Sequence, residues 1–372
     1  MNDRPHSKAI ALGAGALADG IRGRGTAENP PNRFERLAYV EEPDWLDELG
    51  HDPDEGAPTR PRTLYLRDPS RTALSHNQSP DLGFDASLNP YRGCEHGCVY
   101  CYARPTHEYL GFSAGLDFET RILVKENIAE LLRRELSARK WVPRLIAMSG
   151  VTDPYQPIEH HLRLTRQCLR VLADFRNPVG IVTKNARVTR DIDILLELAS
   201  WNAARVQLSI TTLDENLHRL LEPRTASPQQ RLRAVATLAK AGVPVGVMVA
   251  PIIPGLNDHE IPSILAAAAE AGAQSASYVV LRLPHGVKEL FHAWLRRHFP
   301  DRAEKVLNRV RSMRGGQLND SRFGTRMKGE GFFAREVASL FELARKRAKL
   351  GDLPKLSTEA FLPAGGCQLK LF

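Results

Sequence analysis

The chain has 372 residues, of which 42% are hydrophobic and 25% are charged, as in a soluble globular protein with one large domain or two smaller ones. It has no run of 18 apolar residues, which excludes a transmembrane helix, and we expect a cytoplasmic protein without membrane contact. Three of the five cysteines lie within eight residues, which does not suit a disulfide framework and favours a soft metal or a cluster.

The formal net charge of +8 is unevenly distributed. Residues 1–60 carry 7 Lys and Arg against 12 Asp and Glu, whereas residues 282–349 carry 17 against 7. A basic C-terminal third favours a polyanionic partner, most simply nucleic acid. Solvated helix faces are the alternative, and charge alone does not choose between the two.

Four regions follow one another along the chain. Residues 1–80 are predicted to be extended or partly disordered, because Gly, Pro and acidic residues dominate their first 60 positions. Residues 81–284 alternate short aliphatic strands with amphipathic helices, which predicts an α/β fold with a parallel sheet curved into a partial (β/α)6 barrel. Residues 285–352 are predicted to form a basic helical extension, and residues 353–372 a flexible tail.

The element boundaries are predicted from periodicity and from turn residues. Ala241-Gly242 indicates a helix end with Gly242 in the left-handed conformation. The predicted strands are 86–90, 144–149, 178–183, 205–210, 244–250 and 276–282, and the predicted helices are 126–139, 162–175, 189–200, 228–241, 259–271, 287–298, 301–313 and 331–348.

Cys94, Cys98 and Cys101 follow the first predicted strand, at the rim where barrels of this type place their chemistry. Three thiolates on one short loop suit an iron–sulfur cluster with one iron left open. Structural zinc is an alternative, with His96 or His107 as a fourth ligand, although neither gives a known zinc-finger spacing. Inert buried thiols are a third alternative.

The spacing C-x3-C-x2-C, with Tyr100 in the aromatic place before the last cysteine, resembles the signature of radical S-adenosylmethionine (SAM) enzymes. Further motifs over residues 80–284 are similar to the spore-photoproduct-lyase-like, or DNA repair photolyase-like, branch, in particular to an uncharacterised subgroup of it. These motifs are Asn89-Pro-Tyr-Arg-Gly-Cys94, Cys101-Tyr-Ala-Arg104, Gly150-Val-Thr-Asp153-Pro-Tyr-Gln-Pro157 with Glu159, Val182-Thr-Lys184, Glu222-Pro-Arg224 and Ala250-Pro-Ile-Ile-Pro-Gly-Leu-Asn-Asp258.

The resemblance implies a [4Fe–4S] cluster on the three cysteines, with SAM bound at the open iron. It also implies reductive cleavage of SAM to a 5′-deoxyadenosyl radical that abstracts hydrogen from a substrate, and an electron donor such as flavodoxin or ferredoxin. A nucleic acid, as in DNA repair, is the expected substrate. The alternatives are a radical SAM enzyme that modifies a protein or a small molecule, and a non-catalytic nucleic-acid-binding protein with a structural metal site.

Polar residues after the second and third strands are the expected SAM contacts. Thr152 and Asp153 suit the SAM amine, and Lys184 suits its carboxylate as a point charge. A turn is the alternative role for Thr152-Asp153-Pro154.

Later strand ends offer further SAM contacts. Ser209 and Thr211 are candidates for the ribose hydroxyls. Tyr100 and the backbone of residues 251–253 are candidates to flank the adenine.

The sequence departs from the lyase itself at one position. The lyase has an additional hydrogen-donating cysteine at the end of its second strand, where this chain has Gly150, and no cysteine lies between Cys101 and Cys168. SAM cleavage is therefore implied, and repair of spore photoproduct by that route is not. Cys168 is predicted to be a buried core thiol, and Arg224 to pair with Glu222, with SAM or with solvent.

Gln368-Leu-Lys-Leu-Phe372 resembles the peptide that binds the bacterial sliding clamp. Leu371 and Phe372 would fill an apolar pocket of the clamp, or instead dock on their own domain. In the basic extension, charge reversal at Arg322 and Arg326 is expected to weaken DNA binding.

Overall fold

The structure is a computed structural model that describes residues 21, 23–34, 61–352 and 354–363. Its main sheet has seven strands in the order β10-β9-β8-β7-β6-β3-β2. Six strands pair in parallel and in chain order, and β2 adds an antiparallel edge. The strands of this sheet are β2 (Leu74–His76), β3 (Ala86–Leu88), β6 (Ile146–Met148), β7 (Val179–Thr183), β8 (Ala204–Ser209), β9 (Val245–Ile252) and β10 (Ser275–Val280).

Helices separate the six parallel strands, which confirms the predicted partial (β/α)6 barrel. Along β7 buried and partly buried residues alternate, as expected where one face of a strand packs on helices. The helices of this part are α1 (Asp117–Thr120), α2 (Ile128–Leu136), α3 (Glu159–Leu162), α4 (Leu164–Asp174), α5 (Ile192–Ser200), α6 (Glu215–Leu221), α7 (Pro228–Ala241) and α8 (Ile261–Glu270), with 3-10 helices at Arg104–Leu110, Ala186–Asp191 and Asp258–Glu260.

Local signals set several helix ends. Helix α7 has the predicted bounds, because Ser227 and Gln230 form a reciprocal capping box and Gly242 ends the helix at a φ of 90°. Asp214 caps α6. Neither this cap nor the helix was predicted from the sequence. A second sheet was also missed, with β1 (Leu64–Arg67) parallel and β4 (Tyr91–Arg92) antiparallel to β5 (Arg121–Val124).

The basic extension is helical, as predicted, with α9 (Val287–His298), α10 (Pro300–Ser312) and α11 (Gly331–Arg347). Between α10 and α11, residues 319–328 form a segment that we call the closing segment. It joins the two edges of the main sheet, because Val280 N donates to Met327 O at 2.9 Å while Arg326 Nε donates to Asp81, between β2 and β3, at 2.6 Å.

The predicted phosphate contacts in the closing segment are already engaged within the chain. Arg326 pairs with Asp81, and the Arg322 side chain pairs with Asp320 and Glu330 at 2.9 and 2.7 Å. Charge reversal at either arginine would therefore disturb the closing segment itself, so these positions do not isolate nucleic-acid binding.

The sequence predicts a flexible tail from residue 353, whereas residues 354–363 lie against the body. Arg205 donates to Pro354 O at 2.5 Å, and the Leu362 amide donates to Phe175 O at 2.9 Å. These contacts cover the amino-terminal ends of β7 and β8, opposite the rim that carries the cysteines. The predicted clamp-binding residues 368–372 lie outside the described residues.

Among the described residues, the helices are all too short or too polar to cross a membrane.

Candidate functional site

The three predicted cluster ligands lie on one loop at the carboxyl edge of the main sheet. Cys94 and Cys98 are buried and Cys101 is partly buried. The loop folds back on itself at Gly93 and Gly97, whose φ values of 81° and 66° favour glycine. Burial raises the pKa of all three thiols, so they are neutral unless a metal displaces their protons. Three thiols on a tight loop, two of them buried and one partly buried, fit an iron–sulfur cluster.

The zinc alternative lacks a fourth ligand in this geometry. Among the residues that the structure describes, no group of three or more His, Cys, Asp or Glu side chains is arranged to bind one metal ion. His96 faces Asp153 and Asn185 at 3.4 and 3.3 Å. His107 is fully buried between Phe112 and Phe118. A cubane cluster does not need its thiolates to converge on one point, because each binds a different iron.

A fully buried ion pair between Arg104 and Glu119 anchors the cysteine loop. Arg104 Nη2 lies 2.6 Å from Glu119 Oε1, and both side chains are inaccessible to solvent. The same guanidinium donates to the carbonyl oxygens of Cys98 and Gly97 at 3.0 and 3.3 Å. Because removing either partner leaves an unpaired buried charge, this pair fixes the loop strongly.

The N-terminal segment 23–34, here called the strap, covers the loop from outside. Both amides of Gly25 and Thr26 donate to the carboxylate of Glu119, at 2.9 and 3.1 Å. A Cβ at Gly25 would lie 1.6 Å from Gly97 O, so only glycine fits this contact. Sequence reasoning missed the strap, since the partners are more than 90 residues apart.

Lys184 follows β7 and is surrounded by acceptors. Its Nζ donates to Ser209 Oγ at 2.7 Å, to Ala250 O at 2.9 Å and to Thr211 Oγ1 at 3.2 Å. It also lies 3.1 Å from Glu222 Oε1. The ammonium is therefore fixed at the carboxyl ends of β7, β8 and β9.

Glu222 is the buried carboxylate at the centre of this network. It accepts hydrogen bonds from Tyr100 and from Thr211, the latter at 2.5 Å, and pairs with the buried Arg231. Although burial alone would raise the pKa of Glu222, Arg231 and Lys184 hold it far below its usual range. Glu222 thus remains ionised and keeps an anion beside Lys184.

Both carboxylate oxygens of Asp153 also accept hydrogen bonds. Oδ1 accepts from Tyr155 N and Thr183 Oγ1 at 2.8 and 2.7 Å, and Oδ2 accepts from Lys184 N at 2.7 Å. Asp153 therefore ties the turn after β6 to the end of β7. The neighbouring Thr152 donates through its hydroxyl to Tyr91 O at 3.1 Å.

Four of the predicted SAM contacts, Tyr100, Lys184, Ser209 and Thr211, meet in one network, and Asp153 joins it through the Lys184 backbone. Their contacts with SAM, like that of Thr152, stay predictions. Val99 N donates to Leu221 O at 3.2 Å, which places the cysteine loop beside Glu222.

Two residues outside that network, Arg224 and Cys168, also have defined positions. Arg224 pairs with Glu95 at 3.1 Å, and not with Glu222 or solvent alone. Cys168 is fully buried in the core, as predicted. Glu222 was recognised in the Glu-Pro-Arg motif but was not predicted to organise the site, because nothing local to the motif indicates Arg231.

Sequence comparisons agree with this geometry. Residues 88–268 match the Radical SAM superfamily. An uncharacterized protein of Mycobacterium tuberculosis is 38% identical over 222 residues, which cover 59% of this chain and 65% of that protein. The Radical SAM Nalpha-GlyT isomerase of Pseudomonas phage M6 is 28% identical over 172 residues, or 46% of this chain and 34% of the phage protein.

Solved structures resemble the same fold. Spore photoproduct lyase complexed with dinucleoside spore photoproduct superposes with a TM-score of 0.56 at 17% identity, over 77% of this chain and 79% of that one. A second lyase structure, with bound AdoMet and dinucleoside spore photoproduct, gives a TM-score of 0.55 at 17% identity and the same coverage. The family match coincides with the cysteine loop and the barrel. Residues 88–268 therefore form a domain of the radical SAM superfamily.

Proposed function

We propose that this protein is a radical SAM enzyme that binds a [4Fe–4S] cluster through Cys94, Cys98 and Cys101 and acts on nucleic acid. The observation that carries the proposal is the position of three thiols, two buried and one partly buried, on a loop that turns at two glycines. This loop lies directly beside the Lys184–Glu222 network at the carboxyl edge of the barrel. Since that edge is the catalytic rim of such barrels, cofactor and substrate would meet there.

When bound, the cluster and SAM together supply the 5′-deoxyadenosyl radical, a chemistry that belongs to the cofactors. The chain's own residues would bind and orient these cofactors and shield them from water. Lys184 would attract the SAM carboxylate as a fixed point charge, since its three N–H donors are directed at Ser209, Ala250 and Thr211. Glu222 holds Lys184 in place through the 3.1 Å contact. The strap and the Arg104–Glu119 pair close the outside of the cysteine loop to water.

A nucleic-acid substrate has support from the fold and from the distribution of charge. Spore photoproduct lyase shares the fold, and its solved complex contains a dinucleoside photoproduct. In addition, a cleft of about 490 Å³ beside the end of β9 is lined by Arg302, Lys305 and Arg309 of α10. Arg302 and Lys305 are exposed and form no ion pair among the described residues, so they offer charge to phosphates.

Anaerobic reconstitution tests the cofactor part of this proposal. We expect about four irons per chain and release of 5′-deoxyadenosine after reduction with SAM. The variant Cys98→Ala should lose both, whereas Cys168→Ala, which alters a buried thiol of the core, should retain them. Iron without 5′-deoxyadenosine release in the wild-type protein would instead support a structural metal site.

Two partners complete the proposal. Reduction requires an electron donor such as flavodoxin or ferredoxin. Residues 368–372 would recruit the enzyme to a bacterial sliding clamp. Equal binding of the clamp by the intact chain and by a chain without residues 368–372, or binding by neither, would refute the recruitment.

A further inference from the structure

Arg282 is a cation with unused donors beside the cysteine loop. It lies two residues after β10, at the carboxyl edge of the sheet. Among the described residues its one hydrogen bond goes to the sulfur of Met327, at 3.6 Å, and a thioether is a weak acceptor. Its Nε is buried and has no partner in that set. The Nη1 and Nη2 donors that do not contact Met327 are therefore available to a ligand.

No carboxylate in the described part of the chain neutralises this guanidinium. Asp81, the nearby acid, is engaged by Arg326 at 2.6 Å. Burial lowers the pKa of Arg282, and Arg326 lowers it further, yet an arginine stays charged at neutral pH. A partly buried cation without a counter-charge is unfavourable, so an anionic ligand at this position would be stabilised.

Tyr102 fixes where that anion would lie. The Arg282 guanidinium stacks on the Tyr102 ring at 5.3 Å from its centroid, and Tyr102 directly follows the cluster ligand Cys101. The tyrosine hydroxyl donates to Gly150 O, after β6. Contacts from the cysteine loop, β6 and β10 thus converge here, while 48% of Tyr102 remains exposed.

We propose that Arg282 binds a backbone phosphate of a nucleic-acid strand and that the exposed Tyr102 ring stacks on a neighbouring base. This inference rests on the proposed function and specifies how its substrate is held. A planar guanidinium fork matches two phosphate oxygens, and an aromatic ring accepts a base of any sequence. An acidic peptide would use the same cation but would gain nothing from the ring.

The test measures binding of a fluorescein-labelled single-stranded oligothymidylate to the reconstituted, SAM-loaded protein by anisotropy. Arg282→Gln should weaken binding about tenfold, since one charge-assisted contact is lost. It should also reduce the slope of log affinity against log salt by about 0.7, the value for one phosphate contact on a single strand. Arg282→Lys should restore the slope but only part of the affinity, because it lacks the fork.

Controls separate a local contact from general charge or misfolding. Arg139→Gln removes an equal charge from an exposed arginine that precedes β6, at the opposite end of the sheet, and should leave affinity unchanged. An oligomer with an uncharged methylphosphonate backbone should bind wild type and Arg282→Gln equally weakly.

Unchanged affinity and an unchanged salt slope in Arg282→Gln would overturn the proposal. Competition by polyglutamate at equal charge concentration would also overturn it, if polyglutamate displaced the oligonucleotide from the wild-type protein but not from Arg282→Gln. Either result would differ from a failure of the proposed function, which would appear as no 5′-deoxyadenosine from the wild-type protein.

Discussion

At the scale of single residues, the site depends on charges that are fixed by burial. Lys184 and Arg231 both contact Glu222, which is inaccessible to solvent. Breaking a buried pair of this kind by removing one partner typically costs about 3–5 kcal/mol, because the other charge is left uncompensated. Glu222 is therefore a positioning residue that fixes the ammonium group of Lys184.

Replacement of Glu222 by glutamine should change how stability depends on pH. The pKa of Glu222 is depressed in the folded protein and returns to about 4.5 on unfolding, so its contribution is complete above that pH and is lost as the pH falls below it. Thermal unfolding between pH 7 and pH 3 should show a steeper decline for wild type than for Glu222→Gln. Glu197→Gln, which alters a partly exposed pair with Arg170, should follow wild type. Parallel curves for wild type and Glu222→Gln would refute the assignment.

At the scale of elements, the strap and the cysteine loop form one unit. The strap reaches the loop through Gly25, Thr26 and the buried Glu119. Sequence patterns do not reveal such a contact, since short irregular segments have no periodicity and their partners are distant in the chain.

Substitution of Gly25 by alanine should loosen this unit. The added methyl group would overlap Gly97 O, and overpacking of this kind costs about 1–3 kcal/mol. Urea denaturation should show the loss, and the variant should also release iron faster on dilution. Gly83→Ala is the matched control, because no atom lies within 4 Å of the added Cβ. Equal behaviour of the two variants would mean that the strap does not restrain the loop.

The elements that were predicted correctly have strong local signals. The six parallel strands are short and mostly aliphatic between helices with amphipathic periodicity, and α7 has a complete capping box. Strand β1 was missed because all four of its residues are exposed and do not alternate in polarity. The network around Glu222 was predicted only in part, because the position of Arg231 depends on how α7 packs against β8.

In the molecule as a whole, the closing segment links the two edges of the main sheet. It joins β10 to the loop after β2 through Met327 and through the Arg326–Asp81 pair. From the sequence, Arg326 is indistinguishable from the exposed Arg302, since both belong to the basic extension. Only the fold separates a structural arginine from one that is free to bind phosphate.

A double-mutant cycle tests the closure. Arg326→Ala and Asp81→Ala should couple by about 1 kcal/mol in free energy of unfolding, because both side chains are largely buried. The pair Arg345–Asp352, whose aspartate is 92% exposed, should couple by less than about 0.5 kcal/mol. Additive effects at Arg326 and Asp81 would show that the pair does not hold the sheet edges together.

Deuterium transfer tests whether the protein carries out radical chemistry on nucleic acid. Reconstituted, reduced protein would be incubated with SAM and with DNA from bacteria grown in deuterated medium, both untreated and ultraviolet-irradiated. Mass spectrometry should find deuterium in 5′-deoxyadenosine, or in SAM where SAM is regenerated, and Arg282→Gln should reduce the transfer. Absence of deuterium from both 5′-deoxyadenosine and SAM with either DNA sample would contradict radical abstraction from nucleic acid.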